Sequence, residues 1–194
     1  MTHRLQILLP GATAVLLLLG SALAQAGPLT ELKAANGQLN KLAQARASDD
    51  QLKKFVNQLL DFDTMAENTL KAQWPSLSAE QKSEFKKLFQ GLIEKSYISG
   101  IRKNASFSVD YQRETLSGSE ARVFTIVHSV RKGRPRQSEV SYRMRRVGNK
   151  WRVIDMKTDD VSMEENYRNS FSRIIKDKGF TELLDKMRKK LTSA

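Results

Sequence analysis

The chain of 194 residues contains no cysteine. That excludes disulfide cross-links and thiolate metal ligands, and it excludes a lipid anchor, which needs a cysteine just after the cleavage point. Histidine is almost as scarce: His3 and His128 are the only two. No His/Cys cluster exists, which argues against a zinc site. Any Ser-His-Asp arrangement would have to use His128. No Gly-x-Ser-x-Gly segment is present to expose a nucleophilic serine, and no glycine-rich phosphate loop precedes a helix. Internal repeats and low-complexity segments are also missing. One apolar run stands at the N-terminus, but it is too short for a comfortable membrane span and is interrupted by Pro10 and Gly11.

That run carries the first positive signal. Arg4 precedes it, and small residues follow it: Ala22-Leu23-Ala24 and Ala24-Gln25-Ala26 both fit a signal-peptidase site. Residues 1–26 therefore read as a cleavable signal peptide, with cleavage after Ala24 or Ala26. An uncleaved anchor is the alternative. Residues 27–194 remain as a single domain, long enough to bury a sizeable core. The formal net charge is +12, and removing Arg4 leaves +11. Such a balance favours anionic partners. An exported protein rarely meets nucleic acid, which leaves membranes and acidic proteins.

The hydrophobic period divides the mature chain into helical, strand-like and again helical thirds. Leu32, Ala35, Leu39 and Leu42 give a thin helical stripe. Ser48 and Gln51 stand at capping-box spacing ahead of Leu52, Phe55, Val56, Leu59 and Leu60, an amphipathic helical pattern. A short helix from Asp61 or Asp63 follows and is stopped by Pro75. Ser78 and Gln81 form a second capping box before the aromatic-rich stripe of Phe85, Leu88, Phe89, Leu92, Ile93, Tyr97 and Ile101. The period then becomes two. Phe107, Val109 and Tyr111 alternate with polar residues. Val123, Thr125 and Val127 alternate with Phe124, Ile126 and His128, as in a central strand buried on both sides. Val140, Tyr142 and Met144 alternate with Ser141, Arg143 and Arg145. Gly118, the segment "RKGRPR" and Gly148-Asn149 mark the turns of an antiparallel meander. After Trp151 to Ile154 a strand-to-helix turn leads into a last helical stretch, capped by Ser162 or Asp160 and broken at Lys178-Gly179. The predicted class is α+β: N-terminal helices, a curved antiparallel sheet of about four strands, and C-terminal helices. A wide apolar helical stripe across one sheet face makes either a solid core or a lined cavity, and patterning does not separate the two.

The stretch "WRVIDMKTDDVSMEENYRNSF" (residues 151–171) resembles the signature of the MlaC, or toluene-tolerance, family. The family pattern runs Trp-x-Val-x-Asp, a Glu-Gly-Val-Ser turn, then Asn-Tyr-Arg and Phe. Trp151, Val153, Asp155, Val161, Ser162, Asn166, Tyr167, Arg168 and Phe171 match it. "DFDTMAENTL", "LSAEQKSEFKKLFQGLIEKSY" and "KGFTELLDKMRKKL" resemble further family blocks in the same order. Asp160 departs from the family's Gly, and Glu164 stands where an apolar residue is usual, at a rim that contacts lipid or partner.

The resemblance implies a nuclear-transport-factor-like fold with a deep apolar pocket between sheet and helices. It implies a periplasmic phospholipid carrier of the Mla system, which maintains outer-membrane lipid asymmetry. The implied partners are phospholipid, an inner-membrane ABC transporter with its substrate-binding ring, and an outer-membrane lipoprotein–porin complex. No cofactor, metal or nucleic acid is implied, and the chain is expected to act as a monomer. The expected tail-contacting residues are Phe89, Leu92, Ile93, Tyr97 and Ile101 from the long helix. The sheet contributes Val123, Thr125, Val127, Val140, Tyr142 and Met144, and the closing helix Tyr167, Phe171 and Ile174. Arg131, Lys132, Arg134, Arg136, Arg143, Arg145 and Arg152 are the expected head-group or partner contacts. The competing readings are a periplasmic adaptor with a filled core that docks to membrane transport complexes, and a hydrolase or isomerase using His128 with Asp110 or Asp155.

Overall fold

The structure is a computed structural model that describes residues 26–103, 107–131 and 133–193. The expected signal peptide falls almost wholly outside them.

Four α-helices come first: α1 Pro28–Gln44, α2 Asp49–Leu59, α3 Phe62–Thr69 and α4 Ala79–Lys103. Their starts follow from local chemistry. Ser48 Oγ accepts from the Gln51 N–H while Gln51 Oε1 accepts from the Ser48 N–H, closing the capping box that opens α2. Ser78 and Gln81 do the same ahead of α4. Asp61 caps α3 by accepting from the Thr64 N–H at 3.2 Å.

The sheet follows as β1 Phe107–Ser117, β2 Glu120–Arg131, β3 Arg134–Val147, β4 Lys150–Thr158 and a two-residue β5 Val161–Ser162. It is an antiparallel meander in the order β1-β2-β3-β4-β5. Bulges between Tyr111 and Arg113 in β1 and opposite Arg143/Met144 in β3–β4 break the register and bend the sheet. Ser162 then caps α5, Met163–Thr192, accepting from the Glu165 N–H at 3.1 Å. Gly179 leaves the helical region at φ 85°, so α5 is two helical arms joined at a kink, at the place the sequence marks.

The register sorts the side chains into two faces. Ala121, Val123, Thr125 and Val127 of β2 stand beside Met144, Tyr142, Val140 and Ser138 of β3. This is the inner face, beneath the helices. One continuous cluster joins Ala121, Val123 and Met144 of this face to Leu32, Leu52, Phe55, Val56, Phe85, Phe89, Phe171, Leu183 and Met187 of the helices and to Leu60 just after α2. The other face of β2 carries Phe124 and Ile126, both half-buried, with the Arg113 guanidinium 3.7 Å from the Phe124 ring centre. The expectation of a strand buried on both sides is thus corrected. β2 is paired on both edges, but the backs of Phe124 and Ile126 are shielded by long polar side chains rather than by a second layer.

Candidate functional site

The 151–171 stretch works first as a staple. Asp155 closes the Trp-x-Val-x-Asp motif within β4 and accepts from Ser162 Oγ at 2.7 Å and from the Glu164 N–H at 3.0 Å. A carboxylate at the first turn of α5 suits the partial positive charge of a helix N-terminus. Asp159 and Asp160 both take positive φ, 46° and 67°. The turn therefore keeps its left-handed geometry with aspartate where the family favours glycine, which Asp tolerates better than most residues. Arg168 donates to the Asn68 carbonyl at 3.0 Å and so ties α5 to the end of α3. Glu164 is a correction to the expected rim charge. Its side chain is 11% exposed and lies between the Arg143 and Arg168 guanidinium groups, as an internal ion-pair node.

An aromatic seam follows along α5. Tyr167 and Phe171 meet Phe89 edge-on at ring separations of 5.5 Å and 6.4 Å, and Phe85 stacks on Phe89 at 5.6 Å. Phe89 and Phe171, placed among the tail contacts by sequence, sit in this packed joint between α4 and α5. Beyond the seam α4 approaches α2, α3 and α5 closely with its backbone, and stands further off from the strands.

Between the outer part of α4 and the sheet the inner face changes character along its length. Near β4 and the start of α1, Ala121, Val123, Met144 and Val153 are 4%, 0%, 0% and 2% exposed. Toward the opposite end Phe107, Val109, Tyr111, Val127 and Thr158 are only half-buried, as are Tyr142 and Met156 in the row of Val123. Thr125 and Val140, one row beyond Val123 and Tyr142, are buried, and the Thr125 hydroxyl donates to the Val140 carbonyl at 2.9 Å.

Three phenols stand along the boundary. Burial pushes the Tyr97 hydroxyl up to about 12, and burial raises Tyr142 as well, with the neighbouring Tyr97 and Tyr111 phenols adding to it. Both side chains nevertheless retain accessible surface. Tyr111 is raised by burial too, offset in part by its bond from Asn36 Nδ2 at 2.9 Å. Asn36, Tyr111 and Met156 were not expected in the site. Tyr111 was visible in the alternation of β1. Met156 was not, because the β3–β4 bulge shifts the parity of β4 after Val153.

The remaining expected tail contacts divide between the two kinds of surface. Leu92, Ile93 and Ile101 are buried, and Tyr167 and Ile174 are half-buried. At the outer ends of the strands a cleft of about 560 Å³ is lined by Phe107, Ser108, His128, Ser129, Val130, Pro135, Arg136 and Gln137.

The cations also divide. Arg134 and Arg136 are exposed at the β2–β3 hairpin, in register with the inner-face positions of β3. Arg131 ends β2, and Lys132 lies outside the described residues. Arg143 is held by Glu164 and Glu120, and Arg145 by Thr64 Oγ1 at 2.7 Å and Asp61 at 3.8 Å. Arg152 is opposite Arg145 and borders a separate cleft beside Trp151 and Glu31. His128 pairs with Asp110 at 2.8 Å, on partly exposed side chains of the outer sheet face, while Asp155 is committed to the α5 cap. No group of three or more His, Asp or Glu side chains is placed to hold a metal among the described residues.

These features define an α+β protein with helices laid over one face of a curved antiparallel sheet, a face that is only half-buried at one end. The chain belongs to the MlaC protein family, whose profile matches residues 29–189. A phospholipid-binding protein from Ralstonia solanacearum, solved in complex with a phospholipid, superposes with a TM-score of 0.73 at 18% identity, over 87% of this chain and 100% of that one. At that identity the likeness establishes the fold. A second solved structure, whose name carries the letters NTF2, aligns over 36% of this chain and 60% of that chain at 17% identity, with a TM-score of 0.34 too low to carry an argument. Comparison with curated proteins finds no match.

Proposed function

We propose that this protein is a periplasmic phospholipid carrier. It holds acyl chains in the half-buried zone of the inner sheet face and leaves the polar head at the strand ends. The observation that carries this reading is the apolar face that is deep yet still accessible: Tyr97 and Tyr142, with Met156 next to Tyr142 and Val109 and Val127 two rows further out. Family membership and the phospholipid bound by the fold relative support it.

The energetics explain why a carrier needs such a space. A phospholipid has roughly thirty methylenes, each worth about 0.8 kcal/mol in transfer from water to oil, so escape into water faces a barrier on the order of 20 kcal/mol. The protein lowers it by offering the chains a lining of nearly equal apolarity. Arg134 and Arg136, exposed at the hairpin, supply positive charge for a head-group phosphate or an anionic bilayer. Residues 1–26 serve as the export signal in this reading. The ABC transporter and the outer-membrane lipoprotein–porin complex are the docking partners between which lipid is shuttled, maintaining outer-membrane asymmetry.

The test is native mass spectrometry of protein purified from a bacterial periplasm without detergent. A mass excess of one or two phospholipids, lost on organic extraction, is the expected result. An apo mass that persists after incubation with phospholipid vesicles would replace the carrier by the docking adaptor.

A further inference from the structure

The half-buried zone has a definite inner limit. Resting on the carrier reading above, we infer that Tyr97 and Tyr142 form the floor of the acyl-chain space and act as its length gauge.

The two side chains come from opposite walls. Tyr142 stands on β3 opposite Val123, and Tyr97 projects from α4. Immediately past them the inner face is solid: Ala121, Met144 and Val153 are 4%, 0% and 2% exposed. On the other side Thr125 and Val140 are buried, flanked in the same row by half-buried Tyr111 and Thr158, and accessible positions resume at Val127 and Ser129 before the cleft at the strand ends. Ser129 lies six strand steps from Val123 along β2, and at strand rise these span roughly 20 Å, the reach of an ordinary long acyl chain.

The phenol hydroxyls sharpen the limit. No described residue hydrogen-bonds either one, and neither is a sealed, unpartnered buried atom. Each hydroxyl therefore faces the space, where water can satisfy it. A chain end pressed against it would displace that water and offer no hydrogen bond in return. A phenylalanine of the same shape would stop a chain by bulk alone.

The inference is tested by offering the protein equimolar vesicles of one phospholipid class. Acyl length is stepped from about fourteen to about twenty-two carbons, bracketing that reach. Occupancy is read by native mass spectrometry. The wild-type protein is expected to load the shorter lipids. Occupancy should then fall by about four-fold for each methylene that finds no room. Tyr142→Ala and Tyr97→Leu, each checked for folding by its thermal transition, should move the cutoff to longer chains. Tyr97→Phe should leave it near its original place. Since the two changes lie on separate elements, loss of folding in one leaves the other to decide. Equal loading of all lengths by the wild-type protein, or a cutoff unmoved in a folded variant, overturns the gauge. Loading of no phospholipid at any length overturns the carrier reading and the gauge with it.

Discussion

The two ends of the inner sheet face are built from similar side chains and end up in different states. At one end Ala121, Val123, Met144 and Val153 are sealed beneath α1 and α2. At the other, Phe107, Val109 and Val127 keep part of their surface, and half-buried Tyr142 and Met156 mark the boundary in the row of Val123. Valine, methionine and tyrosine do not choose between these states by themselves. What differs is the cover. At the sealed end the chain from α2 to α3 is drawn onto the sheet by the Leu60–Val153 bridge and by the Asp61 N–H bonding the Val153 carbonyl at 3.0 Å. At the open end the cover is α4, whose close backbone approaches are to the other helices. A sealed face stabilises the fold, and a half-covered face provides room for a ligand.

The comparison can be broken most directly by truncation at each end. Met144→Ala at the sealed end should cost about 2–5 kcal/mol, the usual range for emptying a core site. Val127→Ala at the open end should cost well under half of that. Chemical denaturation of both variants checks it, and equal losses would mean that the two ends are one core.

Charge makes the next test. Val127→Asp should lower phospholipid occupancy by at least about ten-fold, because a carboxylate in an acyl environment loses its hydration, while the fold persists. Ile93→Asp, which sequence reasoning treated as equivalent, should instead unfold the protein, since Ile93 is 3% exposed. Thermal unfolding together with native mass spectrometry separates the two outcomes.

Alkali tests the depth of the boundary phenols. The hydroxyl of Tyr97 is raised from 10.0 to about 12. Its contribution to stability is fully present below pH 10. It is lost as pH rises from 10 to about 12, where the unfolded chain ionises and the folded one does not. The loss is on the order of 2 kcal/mol at the upper end. Tyr97→Phe should be less alkali-sensitive than the wild-type protein by that amount in denaturation midpoints across this range.

The smallest expected effect lies at the hairpin. Arg134→Ser with Arg136→Ser should weaken adsorption to anionic vesicles by a few-fold at low ionic strength and hardly at all at high salt. Flotation of vesicles at several salt concentrations measures it. Arg143→Ser should act through stability instead, since it leaves Glu164, 11% exposed, with one cation fewer.

Much of this architecture was legible in the sequence because its signals are local. Ser48/Gln51, Ser78/Gln81 and Ser162 announce helix starts through hydrogen bonds spanning three residues, and Gly148 and Gly179 announce a turn and a kink through positive φ. Strand alternation likewise identified Val123, Thr125 and Val127 as one face. The candidate site was less legible, because its boundaries are set across the fold. Val127 and Val123 share one alternating pattern and one strand, yet one is half-buried and the other sealed. Only the placement of helices distant in sequence separates them. Met156 was hidden by a bulge, and the roles of Arg143 and Glu164 by an ion pair joining residues 21 positions apart.

The central claim is that acyl chains occupy the half-buried end of the inner face. It is tested most directly by loading the protein with a phospholipid carrying a photoreactive group near the end of one chain, irradiating, and locating the adduct by peptide mass spectrometry. The account predicts labelling at Tyr97, Tyr142 or Val127. Labelling confined to the outer face around Phe124 and Ile126, or at the sealed residues Met144 and Val153, would contradict it.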